Sequence, residues 1–354
     1  MKKTLIILAA SLMASATADA QETYENAKIA QKDLTGTARY VGMGGALEAL
    51  GADISTMGTN PAGIGLYKHS AVNVTAGLVS QANGHDFANG NKTNASFDQG
   101  GFVWSTRSGR KSFLNFGFNY SKSRNLDYIL SASNSVHGGS ISKQSYIKNM
   151  LGNVSNGGFS IGKNEQGEYI GYEDAKSTYT APNFTQLDYL LWNTFIVDPN
   201  NQSAGYNEAN RYTFDRAHTG YIGEYDFNLS GNINDRIFLG LTFGLYDVHY
   251  KGNSTYIENL VDQQGTNVGT LTLNDNRKIT GSGIDLKFGA IFRPIETSPF
   301  RIGIYVHTPT WYDLTTKNYT TLLNGTQLGG YDKGNSSESY DFKIFTPWRF
   351  GISM

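Results

Sequence analysis

A chain of 354 residues carries 29 Lys and Arg against 30 Asp and Glu, a formal net charge of -1, so there is no electrostatic case for nucleic acid. It has no cysteine, which excludes disulfides and thiolate chemistry, and it is rich in Gly, Tyr and Phe, at 41, 22 and 19. Mean hydropathy is -0.38, a value that does not count against membrane strands, which need only one apolar face and only over a central band.

In chain order, residues 1–20 read as a signal peptide. Lys2 and Lys3 form the positive n-region, Leu5–Ala16 the apolar h-region, and Ala18-Asp19-Ala20 an A-x-A cleavage site. The apolar run is too short and too alanine-rich for a spanning helix. The mature chain is expected to begin at Gln21 and to lead through a polar stretch to Thr35.

Gly36–Tyr67 is dense in glycine and small residues, neither a clean strand nor a long helix. Ala46, Leu47, Ala49 and Leu50 suggest a short helix that Gly51 stops. Asn60-Pro61-Ala62-Gly63 has the residues of a type I turn. Gly42-Met43-Gly44-Gly45-Ala46-Leu47 is not a dinucleotide fingerprint, because no buried strand precedes it and Leu47 stands where a third small residue belongs. The run Ala38-Arg39, Gly42, Gly44, Gly45, Ala49-Leu50-Gly51, Asp53 and Asn60-Pro61-Ala62-Gly63 resembles the amino-terminal hatch of the FadL/TodX family of outer-membrane channels for long-chain fatty acids and other hydrophobic compounds. The motif-level likeness covers about Gly36 to Val79. It implies a 14-stranded antiparallel barrel with residues 21–69 forming the lead-in and a hatch inside the lumen, and an exit sideways through the wall near a kinked third strand, where Gly117 falls here.

From Ser70 the pattern changes to a period of two. Val72, Val74, Ala76 and Leu78 alternate with Asn73, Thr75, Gly77 and Val79, and Phe102 and Trp104 share a face. Leu114, Phe116, Phe118 and Tyr120 alternate with Asn115, Gly117, Asn119 and Ser121. Further runs carry Tyr221–Leu229, Ile237–Leu245, Ile284–Ala290, Ile302–Val306 and Phe342–Ile352 on one face. We count eight strands in residues 70–354. Asp226, Asp285, Lys287, Arg301, Lys343 and Arg349 stand opposite the apolar rows. A soluble sandwich would bury them, whereas a barrel turns them to a polar lumen and the aliphatic row to lipid. The fold class is therefore all-β, a transmembrane antiparallel outer-membrane barrel.

The connections alternate. Arg107–Lys111, Asn232–Asp235 and Arg293–Pro299 read as tight turns; Ala82–Ser96, Lys122–Ala217, Lys251–Lys278 and Asp313–Glu338 read as long loops. Short turns belong on the periplasmic side and long loops outside. Tyr250, Trp311, Tyr312 and Tyr340 are expected in an outer aromatic girdle. Within Lys122–Ala217, Ser142–Leu151 and Gln186–Val197 have helical spacing, the second with Leu187, Leu190, Leu191 and Phe195 on one face. That face is either a capture surface for an apolar ligand or a satellite core under the loop. An eight-stranded barrel is too narrow to hold a hatch, and the chain stops at Met354 within a strand pattern, so further strands are expected beyond it.

No metal or cofactor site is expected. The six histidines show neither H-x-x-x-H nor H-E-x-x-H spacing. His249 and Tyr250 are read as rim residues, not as a haem-ligand pair. The resemblance implies a monomeric, non-enzymatic channel in the outer membrane of a Gram-negative cell. Its partners would be an apolar small molecule, the bilayer and the outer-membrane assembly machinery. A surface receptor or adhesin working through the long loops is the alternative, with a rim-located lipid enzyme behind it.

Overall fold

The computed structural model describes residues 26–87, 90–152, 160–163, 165, 169–173, 185–194, 206–326 and 333–354. The signal peptide and Phe195 lie outside these residues. Eleven strands form one antiparallel sheet that occupies eight lanes. β1 (Ala71–Ser80) pairs with β2 (Thr93–Arg107), and β2 with β3 (Phe113–Asn125). β3 and β4 (Tyr128–Gly139) are two halves of one lane, both paired with β7 (Glu208–Ile233). β5 (Ser160–Lys163) and β6 (Tyr169–Glu173) form a separate hairpin.

After β7 come β8 (Ile237–Val261) and β9 (Asn267–Phe292), which pair along almost their whole length. β10 (Ile302–His307) and β11 (Trp311–Thr326) share the next lane, interrupted at Thr308-Pro309-Thr310, where Pro309 has no N–H to give a ladder. β12 (Lys333–Phe345) and β13 (Arg349–Ser353) share the last, interrupted around Pro347. Among the described residues the outer edges of β1 and of the β12–β13 lane pair with no strand. The sheet is a curved barrel wall, all-β as the alternation predicts.

The wall has two faces of opposite chemistry. On β8 the outward row is Ile237, Leu239, Leu241, Phe243 and Leu245, all exposed. It then turns polar at Asp247 and His249, which pair at 2.7 Å. Phe227 and Leu229 on β7, Phe288 and Ile284 on β9, Phe116 and Leu114 on β3, and Ile304 on β10 continue this apolar row around the wall. Each lane contributes about ten residues to the band, the length that crosses a thin hydrocarbon layer when strands tilt. Facing inward at the same level are Asn115, Asn119, Asp226, Asn228, Ser230, Thr242, Asp285 and Lys287, all buried.

Beyond the band the strands run on. The segments read as long loops at Lys251–Lys278 and Asp313–Glu338 are for the most part paired strand: β8 reaches Val261, β9 starts at Asn267, and a short turn closes the hairpin. The apolar alternation fades there because the exposed apolar row ends near Leu245, so the two-faced pattern stops while the hydrogen-bonded ladder does not. β4 and the first half of β7 extend in the same way out of the segment Lys122–Ala217.

Two further expectations are corrected. Tyr250 and Tyr312 are buried on the inner face, not in a girdle. The outer aromatic contacts are instead Tyr120 with Tyr225, centroids 5.1 Å apart, and Tyr221 with His249 at 5.2 Å, with Trp311 exposed. His249 and Tyr250 therefore point to opposite faces and cannot share a ligand. Lys343, expected in the lumen, is exposed and 3.6 Å from the equally exposed Asp313.

Candidate functional site: a hatch seated inside the wall

The concave side of the wall holds the segment 26–70. A helical turn at 26–30 leads to α1 (Ala38–Gly42), whose first turn is capped by Thr37 accepting from the Tyr40 N–H. The helix thus lies before the predicted Ala46–Leu50, which forms turns. Gly44 and Gly45 adopt φ of +63° and +80° directly after α1, and too few residues remain before Gly51 to nucleate another helix. Gly51, at φ +62°, ends this stretch with its N–H donating to the Leu47 carbonyl at 2.7 Å. A Cβ there would lie 2.9 Å from the Gly63 Cα, so the two glycines let the halves of the hatch touch. Gly42 closes α1 without a positive φ and faces open space.

Asn60-Pro61-Ala62-Gly63 begins as the predicted turn, with Gly63 N donating to Asn60 O at 2.9 Å, and continues as a 3₁₀ turn over Pro61–Leu66. Asn60 caps it. Its Oδ1 accepts from Ala62 N at 3.2 Å while its Nδ2 donates to the Glu48 carbonyl at 2.9 Å, tying both halves of the hatch together. Asn60, Pro61, Ala62 and Gly63 are all buried. Replacing Asn60 by Ala removes both bonds and leaves the Glu48 carbonyl without that partner. The expected cost is about 1–2 kcal/mol of hatch stability. It should appear as faster protease cleavage within residues 36–67, with the barrel bands on a gel unchanged; equal cleavage rates would reduce the turn to a loop.

The wall receives the insert on strand glycines, of which the sequence singles out Gly117 alone, and for a different role. A Cβ at Gly240 would fall 2.3 Å from the Pro61 carbonyl carbon, one at Gly289 2.0 Å from Asn60 Oδ1, and one at Gly117 2.1 Å from Met57 Cε. Gly101 and Gly303 lie under Ile54 and Ala49 in the same way. Gly117, which the resemblance puts near a lateral exit, is therefore part of the hatch seat. The irregular pairing in its lane comes higher, between Lys122 and Arg124. Polar bonds complete the seat: Ser230 Oγ to Pro61 O at 2.9 Å, and Asn115 Nδ2 to Ile64 O at 2.7 Å. The signal was present in the sequence, since glycine inside a strand marks close approach of another backbone.

Next to the seat lies a buried ionic cluster. Lys287 Nζ is 2.7 Å from Glu224 Oε1, 2.6 Å from Asp226 Oδ1 and 3.1 Å from Asp285 Oδ1. Tyr246 donates to Asp285 Oδ2 at 2.6 Å or to Glu224 at 2.8 Å. Lys32, from the hatch, reaches Glu224 at 2.8 Å and Tyr246 OH at the same distance. One wall cation, one hatch cation and three wall carboxylates thus share a single network. A polar cavity of about 160 Å³ separates hatch and wall here, lined among others by Lys32, Asp226, Gln99, His307 and Arg349.

Further from the short turns the interior becomes apolar. Ile222, Tyr246, Val248, Tyr250, Ile279, Tyr312 and Leu314 form one cluster, which Ile29 of the hatch segment joins. Still further out, α2 (Ile141–Gly152) and α3 (Gln186–Asn193) lie over the strand extensions. Leu190 and Leu191 are fully buried there with Ala209, Leu260, Leu271 and Leu322, and Leu187 packs against them. In this state the predicted capture face is not an open surface; it is a core that caps the outer end. Large apolar side chains over the concave end of a sheet gain more by burial than by facing water.

Among the described residues no group of His, Asp and Glu could hold a metal ion. No family model matches the chain, and no curated protein matches it. Among solved structures, one match is described as the CymD monoaromatic hydrocarbon channel. It is 11% identical, covers 88% of this chain and 93% of that chain, and has a TM-score of 0.25, so the fold described above rests on strand pairing and burial and not on that likeness.

Proposed function

We propose that the protein is a passive outer-membrane channel for hydrophobic compounds such as long-chain fatty acids, closed by its N-terminal hatch. The observation that carries this reading is the combination of an outward apolar band with an interior occupied by a small-residue insert seated on wall glycines. The FadL/TodX-like hatch motif on Asn60, Pro61, Ala62 and Gly63 points the same way.

The geometry suggests a sequence of events. An apolar molecule that displaced the outer cap around Leu190 and Leu191 would meet the aromatic-aliphatic cluster of Tyr250, Ile279 and Tyr312. Ile29 already occupies part of that cluster, so a ligand there competes with the hatch segment. Moving the segment parts Lys32 from Glu224, the ion pair that joins the hatch to the ionic cluster among the described residues. No bond of the ligand is made or broken, and on this reading the protein is a monomeric transporter and not an enzyme.

A receptor or adhesin remains the second reading, favoured by the long paired extensions of β7, β8 and β9 beyond the apolar band. Uptake separates the two. Cells expressing the protein should accumulate radiolabelled long-chain fatty acid faster than cells lacking it, and surface binding without accumulation would favour the receptor.

A further inference from the structure

At the short-turn end, periplasmic in the reading above, a second cavity of about 300 Å³ lies between the hatch and the wall rim. Four cationic side chains line it: Arg39 and Lys68 from the hatch side, Arg293 and Arg301 from the turn between β9 and β10. One carboxylate, Asp235, faces them, and it is taken by Lys68 at 2.6 Å. Against the upward push of burial, the bonds from Lys68 and Asn232 hold the Asp235 carboxyl below the usual carboxylate range, so this pair is charged and mutually satisfied.

The three guanidiniums are left with main-chain oxygens. Arg39 donates to Ala52 O at 3.2 Å, Arg301 to Leu50 O at 2.6 Å, and Arg293 to the carbonyls of Ser298 and Glu296. The Arg301 Nε is buried and has no hydrogen-bond partner. Burial, and then the charge of Arg293, press the Arg301 pKa below its ordinary value. Four cationic side chains against one carboxylate leave the cavity in deficit of an anion. Apolar side chains complete the lining: Leu50, Leu66 and Phe238.

We propose that this cavity binds the anionic headgroup of a single-chain amphiphile, its carboxylate held by Arg39, Arg293 and Arg301 and its first methylenes against Leu50, Leu66 and Phe238. Arginine forks suit a planar carboxylate, and the volume is at the lower end of small-molecule sites, enough for a headgroup and a few carbons but not a whole acyl chain. The site lies on the far side of the hatch from the apolar cluster. It would hold a cargo molecule as it leaves, which deepens the channel reading and rests on it for the identity of the amphiphile. Binding itself does not require transport.

The test uses the full chain in nanodiscs, titrated calorimetrically with octanoate, octanol and inorganic phosphate against empty nanodiscs. Octanoate affinity should fall at least tenfold in Arg39→Gln/Arg293→Gln and recover part of that loss, the share due to charge without the fork, in Arg39→Lys/Arg293→Lys, while octanol binding stays unchanged in both. Octanoate binding equal in wild type and the Gln pair would overturn the proposal. So would phosphate that binds as tightly as octanoate and displaces it, since the site would then hold a free anion. The channel reading fails separately: absent fatty-acid uptake alongside arginine-dependent octanoate binding sinks that reading alone, and intact uptake with arginine-independent binding sinks this one alone.

Discussion

Lys287→Met should destabilise the protein by about 3–5 kcal/mol, the range for removing one partner of a buried ion pair. The reason is the company Lys287 keeps. Its ammonium is fully buried within 3.1 Å of oxygens of Glu224, Asp226 and Asp285. Without it three carboxylates face one another with Lys32 as the remaining cation in the network, and Lys32 belongs to the hatch, not the wall. The loss should appear as an earlier thermal transition of the detergent-solubilised protein and as lost heat-modifiability on gels. Adding Asp226→Asn to Lys287→Met should recover a large part of it by removing one of the opposed charges. A single variant as stable as the parent would mean that water reaches the cluster and screens it, contrary to the burial of all four side chains.

The second large effect is expected at Gly240. A methyl group there meets the backbone of Pro61 and Ala62 at 2.3–2.4 Å, and backbone cannot rotate away as a side-chain tip can. Gly240→Ala should therefore lift the hatch from its seat. Overpacking of this kind costs about 1–3 kcal/mol or more, and here the strain falls on an insert that can move, not on a wall held by its ladder. Small-solute leakage through reconstituted liposomes should rise severalfold while the barrel stays folded. Gly231→Ala is the control, because a Cβ at Gly231 meets nothing within 4 Å. Equal leakage in the two variants would show that the turn does not close the lumen.

The strands over the apolar band were legible because their two faces carry different chemistry on alternate residues, as Leu241, Phe243 and Leu245 against Thr242 and Gly244 illustrate. The same alternation put Asp226, Asp285 and Lys287 inside. Where one solvent bathes the outer face and loop helices fill the inner one, as along Asn253–Leu260, the alternation fades and paired strand has the sequence of a loop. Lys32 with Glu224 was out of reach for a different reason: 192 residues separate them, and no local pattern encodes such a meeting. The wall glycines were visible but undervalued. Asn60-Pro61-Ala62-Gly63 is legible as a turn, yet its seat on Gly240 and Gly289 is not, because it joins two lanes and the hatch across long stretches of sequence.

The hatch seat and the ionic cluster also bear on how faithfully this wall can be assembled. β8 and β9 run side by side for some two dozen residues with a single register shift, between Leu260 and Val261. A hairpin that long offers many nearly equivalent misalignments. Slipping one strand by one residue exchanges its faces. On β9 the error would turn Lys287 out into the exposed apolar row, at a cost of roughly 2–4 kcal/mol if that row meets the bilayer midplane, and would replace Gly289 by a side chain beneath Asn60. The misaligned strand would lose its counter-charges on β7 and collide with the insert as well. Each misaligned lane that touches the insert would carry this added penalty, so a variant lacking residues 36–67 would be expected to yield a population of mispaired walls and not merely an open one.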